Sequence, residues 1–167
     1  MKVCLLGLTG CGKSTIAPDI ANFFNLNLIE ADEEVISNNN GIWPKNEEII
    51  DKYFELTNSK VINKNNILYV ISWLDKGWVT KFYENNFTII ELHADLDELI
   101  KRKTKRDKIA EKELNRFKKN YKGYFDVILD PLVSNNFSLS IDTTHKNPRK
   151  VLKTVIQELK KSSQHRS

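Results

Sequence analysis

Apolar residues fall in short runs with polar, helix-compatible stretches between them: KVCLLG near the start, then LNLIE, NILYVIS, FTIIELH and FSLSID. Such runs, rich in Ile, Val, Leu and Phe, read as strands buried on both faces. Alternating with helical periodicity, they predict an α/β domain with a five-stranded, mainly parallel sheet flanked by helices. The first helix is expected over 13–24, with Ile16, Ile20, Phe23 and Phe24 on one face. Pro18 is a local inconsistency there, because proline removes a backbone donor. Between the second and third strands, residues 31–64 read as helix, loop at 38–44, then helix, an insertion placed to cover a ligand crevice. A second insertion, 105–124, is strongly charged and helical after residue 110, which predicts a mobile lid. From Pro148 the spacing of Val151, Leu152, Val155, Ile156 and Leu159 predicts an amphipathic last helix, with 162–167 frayed.

At 167 residues the chain is expected to form one domain, long enough to bury a core without metal or disulfide support. Two cysteines are too few for a disulfide framework, so a reducing, cytoplasmic setting is expected. The N-terminal apolar run is too short for a signal peptide or a membrane span. The net charge of +4 is concentrated at 101–108 and from residue 146 onward. Basic runs of this kind read as solvated helix faces, and nucleic acid is not the expected partner.

The chemistry is carried by Gly7-Leu8-Thr9-Gly10-Cys11-Gly12-Lys13-Ser14. This is the eight-residue Walker A pattern, following a predicted strand and opening a predicted helix, the context that gives the motif its meaning. A loop of this kind wraps a polyphosphate with backbone N–H groups, and glycines let it approach closely. Lys13 is expected to bridge the β- and γ-phosphates of ATP, Ser14 to offer its hydroxyl to Mg2+, and Thr15 to reach the α-phosphate. At the end of the second strand, Glu30-Ala31-Asp32-Glu33-Glu34 supplies acids to the same crevice. Asp32 is the candidate to hold an acceptor hydroxyl and take its proton, and Glu30 to order water around Mg2+. The competing reading is that these acids only favour the first turn of a helix starting there. Arg102, Lys105, Arg106 and Arg116 are lid cations able to stabilise charge on a transferring phosphoryl group.

On these residues the chain resembles the small P-loop kinases of the shikimate kinase and nucleoside monophosphate kinase group. GLTGCGKSTIA, LIEADEEVI and Gly41 are similar to the first part of shikimate kinase. RFKKNYKGYFDVILD and FSLSIDTTHKNPRKVL are similar to the lid exit and final βα unit of shikimate and cytidylate kinases. The resemblance implies a three-layer P-loop NTPase fold with a helical acceptor-binding insertion and a short lid. It places Asp32 at the substrate-binding aspartate, Glu30 at a preceding aspartate and Arg116 after the lid. The loop 143–148, with Thr144 and Pro148, is placed beside the adenine. Arg102, from the charged segment, is a further candidate for binding the nucleotide. An ATP-dependent kinase using Mg2+ and a small-molecule acceptor follows, either a monomer or a homodimer. Two departures bear on the acceptor. No arginine precedes Arg102, and ISWLDKGW stands where shikimate kinase carries a glycine triplet. Trp43, Tyr53, Phe54, Trp73 and Trp78 are expected near the acceptor pocket, where they would stack on a ring, with a core position the equal alternative for Tyr53 and Phe54. A hydroxyl acceptor is the leading expectation, a nucleoside monophosphate the alternative, and a nucleotide switch or nucleic-acid-associated NTPase the third.

Overall fold

Strands form where the apolar runs predict them: β1 (Lys2–Leu6), β2 (Asn27–Glu30), β3 (Ile67–Ile71), β4 (Thr88–His93) and β5 (Leu139–Asp142). In this computed structural model, which describes residues 1–106 and 111–164, they make one sheet in the order β2-β3-β1-β4-β5. Every pairing is parallel, with Leu6 opposite both Ile71 and Glu91. The central strands are continuous apolar runs because helices cover both faces. All five residues of β3 are buried.

The helices are α1 (Lys13–Phe24), α2 (Ala31–Asn38), α3 (Glu47–Val61), α4 (Lys76–Glu84), α5 (Leu96–Arg106), α6 (Glu111–Ile128), α7 (Pro131–Ser134) and α8 (Pro148–Gln164). One layer contains α1 and α8, which pack on each other and on the sheet. On the other side α4 packs on β4 and α7, and α6 packs on α7 and α5. Right-handed crossovers require this split, since β1 reaches β2 by moving one way along the sheet and β3 reaches β4 by moving the other. Helices α2 and α3 pack together as the insertion between β2 and β3. The last helix continues through Gln164, beyond the point at which fraying was expected. Residues 165–167 lie outside the described residues, as do 107–110 of the expected lid.

The core face of α1 differs from expectation. Ile16, Ala17, Ile20 and Ala21 are buried, but Phe23 is 52% exposed, with the Lys160 ammonium 4.9 Å from its ring centre. Pro18 is accommodated within the helix, and Asn25 ends it in the left-handed conformation at φ 51°. Trp78 is also a correction. It is buried against Phe82, ring centres 6.1 Å apart, and belongs to the core rather than to an acceptor pocket. Phe82 stacks on Tyr69 at 5.7 Å, and the Tyr69 hydroxyl donates to Asn58 Oδ1 at 2.7 Å. That bond satisfies a polar group that would be expensive to bury alone.

Candidate active site

The Walker A loop joins β1 to α1 at the carboxyl edge of the sheet. Gly7 is needed for close approach: at φ 151° its backbone passes so near β4 that a Cβ would stand 2.1 Å from the Leu92 carbonyl oxygen. Gly12, at φ 99°, precedes α1 with nothing within 4 Å of where its Cβ would lie. The space in front of that helix is therefore an open cradle. No side chain caps α1 and no acid occupies its first turn. Its leading amides, which have no intrahelical acceptors, face the cradle with the positive end of the helix dipole, the arrangement that binds phosphate.

Lys13 is buried, and its ammonium donates to the carbonyl oxygen of Gly7, to Leu8 O at 3.3 Å and to Ser72 Oγ at 3.5 Å. A cation is thus stored among the loop's own oxygens. The Cys11 Sγ lies 4.0 Å from it, but burial pushes that thiol up and keeps it neutral.

A single cavity of about 490 Å3 gathers most of the expected site. Thr9, Gly10, Cys11, Gly12, Lys13, Ser14 and Thr15 form its floor. Because β2 and β3 lie to one side of β1 and β4 and β5 to the other, the cavity has two ends of opposite character. Glu30, Asp32 and Ser72 line the β2/β3 side, and Arg102, Lys103, Arg106, Lys146 and Pro148 the β4/β5 side. Asp32 is open to solvent within the cavity, yet the walls exclude enough water to raise its carboxyl above the usual aspartate range, with Lys13 opposing the shift. Glu30 is raised too, by burial and by the neighbouring charges of Glu33 and Asp32, while a hydrogen bond with Ser14 opposes the rise. Asp32, Glu33 and Glu34 do occupy the first turn of α2, so the helix-favouring role and a cavity-lining role coexist at Asp32.

Four expected site residues are not on the cavity wall, and neither are Trp43, Tyr53, Phe54 and Trp73. Lys105 is exposed near the end of α5. Gly7 shapes the loop from behind. Thr144 is turned into the β5 edge, where its hydroxyl donates to Asp142 Oδ1 at 2.6 Å and accepts from the Asp95 amide at 2.9 Å. Arg116, on α6, reaches α3 instead and pairs with Glu47 at 3.3 Å. Arg102 lines the cavity with all five guanidinium N–H donors engaged: Glu98 Oε1 at 2.8 Å, Gly10 O at 3.2 Å, Thr143 Oγ1 at 3.3 Å, Thr143 O at 2.7 Å and Thr144 O at 3.1 Å. It ties the Walker A loop to the 143–148 loop and keeps its planar face for the cavity.

Sequence reasoning missed Ser72 and Lys103 as wall residues, and reached Lys146 only as part of the 143–148 loop. Ser72 was signalled by its place just after the third strand, where the crevice of a parallel sheet opens. It also missed Glu91, fully buried on β4, which accepts from Tyr124 at 2.8 Å, from Ser140 at 2.6 Å and contacts His93 Nδ1 at 2.9 Å. A lone glutamate in an apolar run was its only mark.

The model of the shikimate kinase family matches residues 9–160. The chain belongs to the shikimate kinase family. It is therefore an ATP-dependent phosphotransferase acting on a small molecule, and kinases of this family use ATP with Mg2+. No curated protein sequence matches it. Shikimate kinase from Acinetobacter baumannii in complex with shikimate superposes with a TM-score of 0.74 at 14% identity, covering 95% of this chain and 92% of that one. A gluconokinase from Sinorhizobium meliloti 1021 gives 0.68 at 15% identity, covering 98% and 94%. The YorR protein of Bacillus subtilis in complex with phosphorylated GDP gives 0.63 at 18%, covering 98% of each chain. At such identities these likenesses establish the fold, the three-layer P-loop arrangement with its five parallel strands. Among the described residues no helix is long and apolar enough to cross a membrane.

Proposed function

We propose that this shikimate kinase family member holds Mg·ATP across residues 7–15 and transfers the γ-phosphoryl group to a hydroxyl held by Asp32. The observation that carries the reading is the single cavity in which the Walker A loop, Glu30, Asp32, Arg102, Arg106 and Pro148 meet. The amides of Gly10, Gly12, Lys13 and Ser14 and the Lys13 ammonium take the polyphosphate. Thr9, Cys11 and Thr15 contribute as parts of the same loop and first turn, with Gly7 behind them. The base lies towards β4 and β5, between the flat face of Arg102 and Pro148, with Thr144 holding the shape of that loop through Asp142.

Oxygen donors suit Mg2+. Ser14 and Glu30 line the same cavity, and among the described residues no cluster of three His, Cys, Asp or Glu side chains makes an autonomous metal site. That donor set fits an ion carried in by the nucleotide's phosphates. When bound, the ion neutralises phosphate charge.

In the transfer, the acceptor hydroxyl oxygen forms a bond to the γ-phosphorus. The bond to the β-phosphate oxygen breaks, ADP departs, and the hydroxyl proton passes to Asp32. Arg106 meets the charge on the transferring group, and Arg116 closes α6 over the insertion through Glu47. The test is phosphoryl transfer from γ-labelled ATP to a hydroxyl panel, with Lys13→Ala as control. Transfer retained in that variant contradicts the assignment.

A further inference from the structure

We propose that Ser72 is a further residue of the γ-phosphate site: its hydroxyl donates a hydrogen bond to an oxygen of the γ-phosphoryl group that Lys13 also holds. The inference rests on the phosphotransfer reading above and deepens it at the group being transferred.

Strand pairing fixes where Ser72 stands. It follows β3 directly, Ile71 lies opposite Leu6, and the Gly7 amide donates to the Ile71 carbonyl oxygen at 3.2 Å. The end of β3 is thereby bonded to the first glycine of the Walker A loop. All of β3 is buried, and Ser72 is the first half-buried residue after it, lining the cavity together with Lys13, Glu30 and Asp32. Most partners within reach of the Lys13 ammonium belong to the loop itself, namely the Gly7 and Leu8 carbonyls and the Cys11 sulfur. Among the described residues, Ser72 Oγ at 3.5 Å is the one that comes from the end of another strand.

The supply of hydrogen-bond donors is the second ground. Lys13 opposes the rise at both Glu30 and Asp32, so the ammonium, the Ser72 hydroxyl and the two acids share one end of the cavity. Ionised carboxylates only accept hydrogen bonds and give nothing to a phosphoryl oxygen. Val70 is the other wall residue contributed by β3, so Ser72 supplies the side-chain donor of that wall. Its oxygen accepts from Lys13, and among the described residues its own O–H has no acceptor. An oxygen about 2.8 Å from the ammonium can stand about 2.7 Å from Ser72 Oγ as well, both ordinary lengths for charge-assisted bonds. As transfer spreads charge over the equatorial oxygens, that bond strengthens. The hydroxyl keeps its proton throughout, and the bonds made and broken remain those of the transfer itself.

The experiment titrates the full chain calorimetrically with Mg·ATP and with Mg·ADP, which differ by the γ-phosphoryl group alone. Ser72→Ala is expected to weaken Mg·ATP about 10-fold, the effect of losing one hydrogen bond to a charged group, with Mg·ADP within twofold of wild type. Retained Mg·ADP binding shows that the cradle still folds. Ser72→Thr keeps the hydroxyl and is expected to hold Mg·ATP within threefold of wild type. An Mg·ATP affinity unmoved by Ser72→Ala overturns the inference. So does equal weakening of both nucleotides, which would make Ser72 a shaper of the loop, and so does a Ser72→Thr variant as impaired as Ser72→Ala. Each of these results leaves the nucleotide grip of the wild type standing. A wild-type chain that binds neither nucleotide overturns the phosphotransfer reading as well.

Discussion

Lys13 keeps its ammonium among the Gly7 and Leu8 carbonyls, so a positive charge waits at the floor of the cradle before any phosphate arrives. Lys13→Ala removes it, and kcat/KM for ATP-dependent transfer is expected to fall about 10^3-fold in a steady-state assay, in line with loss of one preorganised charge at a transferring group. At Asp32 activity and stability part company. Its carboxyl is raised in the folded protein, so ionisation at neutral pH opposes folding slightly, and that opposition disappears as pH falls through the raised value. Asp32→Asn is accordingly expected to lower kcat roughly 10^2- to 10^4-fold without lowering Tm at pH 7. The acid limb of the wild-type rate profile should lie above the ordinary aspartate pKa of about 3.9. A variant that loses Tm together with activity would make Asp32 a structural residue. These roles were legible because Walker A and the acids after β2 sit where chain order alone places them. Ser72 was not, since it enters the cavity only once β3 takes its place in the sheet.

At the level of elements, two polar anchors hold the site together. Arg102 joins α5 to the Walker A loop and to the 143–148 loop through five donors. Glu91 joins β4 to β5 through Ser140 and to α6 through Tyr124. Glu91→Ala strands two hydroxyls, one of them on a buried tyrosine, and is expected to cost about 3 kcal/mol in urea unfolding. A loss under ~0.5 kcal/mol, the range of an ordinary surface substitution, would mean the network contributes nothing. Strands were legible as elements because a parallel sheet buried on both faces demands unbroken apolar runs. Helix α4 was less so: Gly77, Trp78, Val79 and Thr80 are weak helix formers, and tertiary packing of Trp78 and Phe82 decides the matter. The Asp75 side chain then caps it by accepting from the Trp78 amide at 2.8 Å. Phe23 misled the reading of α1, because periodicity gives a face to a helix but not the width of the layer that covers it.

For the molecule as a whole, the His93–Glu91 contact links stability to pH. The hydrogen bond to Glu91 raises His93 above its ordinary value, about 6.5. Its contribution is therefore complete below that value and lost as pH rises through the raised one. Tm is expected to decline over the pH range just above 6.5, and the decline should flatten in His93→Gln. Fold and nucleotide end were readable from one motif and five apolar runs; the division of the cavity into an acidic and a basic end emerges only from the strand order β2-β3-β1-β4-β5. The most direct test of the account is calorimetric titration of the chain with Mg·ATP, beside Lys13→Ala. One nucleotide per chain is expected, with affinity weakened at least 10-fold in the variant. Equal heats from both proteins, or none from the wild type at millimolar nucleotide, would contradict it.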